Sequence, residues 1–268
     1  MSNGSHAPLT EQLAELQSRI KADAANVKLR IHLFQLLCVM GNWTRALAQL
    51  QVCGQMDAKS LPMAQTYREA IRYELFRQEV FAGKRAPQVM GKPPAWIGSL
   101  IEALRHDGAG DGAAAAALRE RALDEAEPRA CTVDGVGCEW FADGDSRLGP
   151  VCEVIANGQY FWLPFESCLG VNIEAPADLR DLVWASGEVL LPNEGRVPVL
   201  IPARYPGTAE AAADNADQLK QSRVTEWREA HPGMWFGIGQ RVWSSDSGEH
   251  PILDTRLVSF DSPDAKTL

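Results

Sequence analysis

The 268-residue chain contains no apolar run of the length, about 18 residues, that a membrane-spanning helix needs. Apolar stretches such as Leu36-Leu37-Cys38-Val39-Met40 are far shorter. The opening Met1–Pro8 has neither a basic nor an apolar segment of the kind a secretory signal requires, so a cytoplasmic location without membrane insertion is expected. No Cys-x-x-Cys pair occurs. Cys38, Cys53, Cys131, Cys138, Cys152 and Cys168 are scattered through apolar surroundings, and the five histidines lie far apart. That pattern predicts buried free thiols rather than disulfides or a zinc site. Gly-x-Ser-x-Gly, His-Glu-x-x-His and the phosphate-binding Gly-x-x-x-x-Gly-Lys-Ser/Thr are all missing. Gly108-x-Gly110-x-Gly112 falls short of a dinucleotide fingerprint and follows a helical pattern where a strand is required. No catalytic residue, cofactor or metal is therefore expected.

Positive charge is also scarce where nucleic acid would need it. Residues 1–128 hold 15 basic and 14 acidic side chains, whereas residues 129–268 hold 11 and 21. An acidic second half repels phosphate backbones, which argues against nucleic acid as a partner. The asymmetry also suggests two modules. With 46% hydrophobic and 23% charged residues the chain has the composition of a globular protein.

The two halves differ in hydrophobic period. Leu29, Leu33, Leu36, Leu37 and Met40 recur at helical spacing, with Gly41 as a stop and Asn42 as a cap for the next helix. Trp43, Ala46, Leu47 and Leu50 mark that next helix. Others are expected over about 10–20 with Thr10 as cap, from Leu61 with Pro62 in its first turn, around Trp96–Ala103, and over Ala113–Ala126. This rhythm resembles tetratricopeptide repeats, carried by Leu33, Leu37, Gly41, Trp43, Ala46, Leu47 and Leu50, although the period of about 34 residues does not recur cleanly.

After Pro128 short runs of Val, Ile, Trp and Phe alternate with turn residues. Asp134-Gly135 and Asn157-Gly158 predict tight hairpins. Further strands are expected near 168–173, 183–191, 196–202, 236–243 and 251–258, with one helix or an exposed loop at 208–222. The expected class is α+β. A helical tetratricopeptide-like unit over 1–128 precedes a mainly antiparallel β unit over 129–258, pictured as a half-open barrel with an inserted helix, and a disordered tail over 259–268.

Several polar constellations stand out. Asp143-Gly144-Asp145-Ser146 lacks the later oxygen ligands of a cation loop and reads as a turn, with Arg147 pairing Asp145. Arg180-Asp181 reads as an ion pair bracing a loop or as a polar contact surface. Arg204 and Arg241, at punctuated strand ends, are able to hold a carboxylate between two N–H groups. Trp162 and Trp184 read as core, and Trp235 and Trp243 as partly exposed.

Taken together, several stretches resemble the ImpE/TagJ-like accessory proteins of the type VI secretion system. They are Leu33–Cys38 with Gly41-Asn42-Trp43, Leu61–Arg68 with Ala70, Asp145–Pro150, Tyr160–Phe165, Leu179–Trp184, Ile201–Gly207 and Gly239-Gln240-Arg241. The resemblance runs from about residue 10 to about 257, which makes residues 129–258 an ImpE-type unit. It implies a non-catalytic cytoplasmic adaptor that binds the N-terminal helix of the small contractile-sheath subunit. Such an adaptor acts near the sheath and the ATPase that recycles it, modulating sheath assembly or disassembly. For such a role the stripe Lys28, Ile31, Gln35, Cys38 and Val39 is one candidate partner groove, unless the opening helix covers it and makes it core, and the β unit or the cleft between the units is an equal candidate. Asp145, Arg147, Arg180, Asp181, Arg204 and Arg241 are then contact or bracing residues. A small-ligand protein or enzyme using the charges of the β unit, and a scaffold that self-associates through it, are the competing readings.

Overall fold

A computed structural model describes residues 7–261. Six helices fill the first half: α1 (Leu9–Ala22), α2 (Val27–Val39), α3 (Trp43–Met56), α4 (Leu61–Phe81), α5 (Ile97–Gly108) and α6 (Gly112–Glu125). A two-residue strand, β1 (Gln88–Val89), interrupts them. There follow β2 (Cys131–Val133), β3 (Val136–Cys138), β4 (Phe141–Asp143), β5 (Val151–Ala156), β6 (Gln159–Pro164) and β7 (Gly170–Ile173). β8 (Trp184–Leu190), β9 (Arg196–Pro202) and the short α7 (Ala216–Lys220) come next. The last strands are β10 (Thr225–His231), β11 (Met234–Gly239), β12 (Val242–Ser245), β13 (Gly248–Pro251) and β14 (Leu257–Phe260).

Local chemistry sets most boundaries. Asn26 caps α2 by accepting from the Lys28 and Leu29 amides at 3.1 and 3.4 Å. Gly41, at φ +74°, turns the chain into α3. Asp134 and Asn157 both take φ +50°, each followed by a left-handed glycine, giving the two tight hairpins expected between β2 and β3 and between β5 and β6. Thr10, by contrast, is not a cap. Helix α1 begins one residue earlier, and the Leu9 amide donates to the Asp217 carboxylate of α7 at 2.8 Å.

Nine strands form one sheet in the order β1-β6-β5-β9-β8-β7-β14-β2-β3, antiparallel except for β1 on β6. The sheet is open, with β1 and β3 at its edges. β10 and β11 form a separate hairpin, and β13-β12-β4 a three-stranded sheet. Several elements depart from the sequence expectations: β1 and β10 are unexpected strands, and the strand expected near 236–243 is two, β11 and β12. Residues 208–222 hold a single 3-10 turn and the five-residue α7 rather than one helix. The strand expected at 251–258 is two strands, β13 and β14, flanking a turn. The expected tail starts later than residue 259, because Ser259 and Phe260 pair with Thr132 and Cys131. Residues 262–268 lie outside the described residues.

Strand β5 explains how the halves join. It is buried on both faces. Val151 and Ile155 pack with Phe34, Tyr67, Ile71 and Leu100 of the helices, while Cys152, Val154 and Ala156 pack with Val171, Val189, Ile201 and Trp243 on the other side. Alternation across one strand thus feeds two cores. Trp162 and Trp184 are fully buried in the core shared with the helices, Trp184 lying 5.9 Å from Trp43 and 6.0 Å from Tyr67. The segments 1–128 and 129–258 therefore share one interior.

Candidate partner-binding site

The α2 stripe meets the second half along only part of its length. Lys28, Ile31, His32 and Gln35 form one wall of an open groove of about 600 Å³, and Pro176, Ala177, Leu179 and Leu182 form the other. No α1 residue lines it; α1 packs Leu9, Leu16 and Ile20 into the shared core instead. Cys38 and Val39, placed in the groove by their helical spacing, are fully buried and do not line it. α2 is apolar nearly all round toward its C-terminus, so spacing alone did not show which face stays open. Burial, followed by the neighbouring Arg19 charge, lowers the His32 pKa, which keeps the groove wall neutral at that position near pH 7.

Arg180 and Asp181 brace the far wall. The Asp181 carboxylate accepts from the Ala177 and Asp178 amides, both at 2.8 Å, and closes a capping box with Asp178. Arg180 pairs with Asp178 at 2.7 Å and lies 4.8 Å over the Tyr67 ring of α4. The turn at 176–182 is thus tied to the helical half, which fixes the groove's width.

Arg204 fixes the other end of α2. Its guanidinium donates to the Val39 and Lys220 carbonyls, both at 2.8 Å, and to the Cys38 carbonyl at 3.3 Å. Those α2 carbonyls are the ones a helix C-terminus leaves unpaired. Burial lowers the Arg204 pKa to about 10. Arg241 is equally committed. It donates to the Pro202 carbonyl at 2.9 Å, to Asp143 at 2.5 Å and to Glu153. Neither arginine presents a free N–H fork to a ligand. Asp145 and Arg147 form the expected pair, at 2.9 and 2.5 Å, and the Asp143 carboxylate accepts from the Asp145 amide as a turn. Trp235 is 43% exposed as expected, but Trp243 is wholly buried against Phe141 and Phe165.

The group at the centre of this arrangement has no local signal in the sequence beyond one buried carboxylate. Arg77 of α4 donates to both Glu153 oxygens, at 2.6 and 2.8 Å, to the Arg204 carbonyl at 2.9 Å, and to Glu74 at 3.2 Å. Tyr160 donates to Glu153 as well, and Trp162 to Tyr160 at 2.9 Å. Burial pushes the Glu153 pKa up, but the Arg77 and Arg241 charges outweigh it and hold the carboxyl down at about 2. The available signal was one carboxylate inside the apolar run Val151–Ala156. A buried charge is retained only with partners.

Comparison with known proteins bears on what this arrangement serves. The sequence profile of the ImpE protein family matches residues 135–259. The type VI secretion system accessory component TagJ of Pseudomonas aeruginosa is 45% identical over 257 residues, covering 96% of this chain and 89% of that protein. The crystal structure of a Vibrio parahaemolyticus protein superposes with a TM-score of 0.85 at 23% identity, over 96% of each chain, a likeness of fold.

Proposed function

We propose, for a chain that belongs to the ImpE/TagJ family of type VI secretion accessory proteins, that it is a non-catalytic adaptor. In this reading the groove between α2 and the 176–182 turn receives the N-terminal amphipathic helix of the small contractile-sheath subunit, and occupancy modulates sheath assembly or disassembly in the cytoplasm. The observation that carries the reading is the groove itself. Ile31, Leu179 and Leu182 offer an apolar seam, with the Lys28 charge on one border and Asp178, already paired with Arg180, on the other. An amphipathic helix presents that pattern in complement. The braces at Arg180, Asp181 and Arg204 keep the two walls at a fixed separation, so little ordering cost falls on binding. Use of Arg204 and Arg241 as a substrate site is disfavoured, because their N–H groups are already spent on carbonyls and carboxylates.

The test is a fluorescence-anisotropy titration of a labelled peptide of that sheath helix against the intact chain. The intact chain is required because the two halves share a core. The expectation is saturable binding that Ile31→Glu weakens at least about tenfold, the equivalent of about 1.4 kcal/mol, with the circular dichroism spectrum unchanged. Absence of binding to the intact chain would refute the adaptor reading. Equal binding by the variant would move the site away from α2.

A further inference from the structure

A wide cleft lies elsewhere and shares no lining residue with the groove at α2. It occupies about 1160 Å³ between the β1–α5 loop, the α6–β2 connection, the turn after β6 and the turn after β8. The buried Trp96 ring lies at its base. A second hollow shares Trp96, Glu127 and Glu166 with it and carries the lining on to Phe165 and to Trp140, which is 39% exposed. Pro93, Pro94 and Pro128 stand in the walls. Their fixed φ and missing N–H groups give a surface set in shape before anything binds.

The charges of this cleft are unbalanced. Glu127, Glu166 and Asp261 line it, and among the described residues no cationic side chain reaches ion-pair distance of any of the three. Glu166 has one hydrogen bond, from the Trp96 indole at 3.2 Å. Two cations also line the cleft, Lys92 and Arg129. Arg129 is spent. It donates to the Cys168 and Asp261 carbonyls at 2.7 and 2.8 Å and to the Phe165 carbonyl, and it stacks 4.8 Å over Phe260. The cleft therefore combines preformed walls with four carboxylates, Glu125, Glu127, Glu166 and Asp261, against the two cations Lys92 and Arg129, an excess of negative charge.

We propose that this cleft docks a cationic segment of a partner protein: a stretch with two or more Lys or Arg beside an apolar side chain. The apolar residue rests against the proline walls, the charged heads meet Glu127, Glu166 and Asp261, and the exposed Trp140 face accepts a guanidinium. The acidic excess of residues 129–268 steers such a segment toward the site and turns away phosphate-bearing surfaces. With two separate sites, one chain can hold two partner segments at once, as a bridge rather than a single-site cap.

The experiment uses the intact chain and a short fluorescein-labelled peptide repeating Arg-Leu-Ser, with a Glu-Leu-Ser peptide as its counterpart. Saturable binding of the arginine peptide is expected, at least about tenfold tighter than the glutamate peptide and weaker as salt rises. The doubly substituted Glu127→Lys, Glu166→Lys protein should lose at least about tenfold of that affinity, and Trp140→Ser should weaken it without altering its salt dependence. Sheath-helix binding should persist in both variants, which separates this proposal from the α2 reading. Equal affinity for the two peptides, or unchanged affinity in the charge-reversed variant, would overturn it. So would binding that appears only after residues 262–268 are removed, since the occupant would then be the chain's own tail.

Discussion

Arg77 and Glu153, 76 residues apart in sequence, form a two-point ion pair inside the protein, Nε to Oε1 at 2.6 Å and Nη2 to Oε2 at 2.8 Å. One belongs to the longest helix and the other to a strand buried on both faces. Arg241 completes the set by holding Glu153 and Asp143 together from the opposite side. The pair thus joins the helical half to the sheet, and it does so directly beneath the segment in which Arg204 caps α2.

Removing one member of such a set leaves the others charged and buried. Glu153→Gln strands two arginine guanidiniums and should cost about 3–5 kcal/mol in urea unfolding. Glu69→Gln removes the partner of Arg72 at the surface, where Arg72 is 70% exposed, and should cost less than about 1 kcal/mol. A similar cost for the two substitutions would contradict the interlock.

The same groups set a pH dependence with two limbs. Glu153 is held at about 2 in the folded chain, below its ordinary 4.5, so its contribution is present above pH 4.5 and is lost as pH falls toward 2. Burial pushes Asp143 up to about 6, partly offset by Arg241. Its folded form binds the proton more tightly than the unfolded chain, so its contribution is present below its ordinary 3.8 and is lost as pH rises through 6. Stability measured by denaturant titration should therefore fall gently from pH 4.5 to 6.5 and steeply below 4.5. Asp143→Asn should flatten the first limb and Glu153→Gln the second.

Gly41 makes the corner between α2 and α3 at φ +74°, and a methyl group there would lie 2.6 Å from the Ala209 Cβ and 3.3 Å from its backbone. Gly41→Ala should lower stability by at least about 1 kcal/mol from the backbone conformation alone, and by more from the contact. Gly98→Ala, in α5 with nothing within 4 Å, should be neutral or stabilise by up to about 1 kcal/mol. Thermal unfolding of the two variants reads the difference.

How much of this was legible in the sequence follows from how local each signal is. The six long helices and both Asx-Gly hairpins depend on spacing and turn chemistry within a few residues, and they were readable. Strand β10 has no sequence signal because Thr225–His231 carries four charged or imidazole side chains on a hairpin separate from the main sheet, where no buried face imposes an apolar alternation. Trp243 was misplaced because the partners that bury it, Phe141 and Phe165, lie about 80 to 100 residues away. For the site, Lys28, Ile31 and Gln35 emerged from helical spacing, but Cys38 and Val39 did not stay in the groove. Core packing and the long-range hydrogen bonds from Arg204 cover the last turn of α2. The bracing roles of Arg180, Asp181 and Asp145 were visible as neighbouring opposite charges, whereas the pairing of Arg77 with Glu153 spans the whole fold and left no local trace.

The most direct test of the account is a photo-cross-linking comparison with the sheath small subunit. The reactive residue p-benzoylphenylalanine replaces Lys28 at the groove border in one protein and Met56, 38% exposed on α3, in another. A cross-link from position 28 to the N-terminal helix of the sheath subunit, and none from position 56, is the predicted result. A cross-link from position 56 alone, or none from position 28 under conditions where the two proteins co-purify, would contradict it.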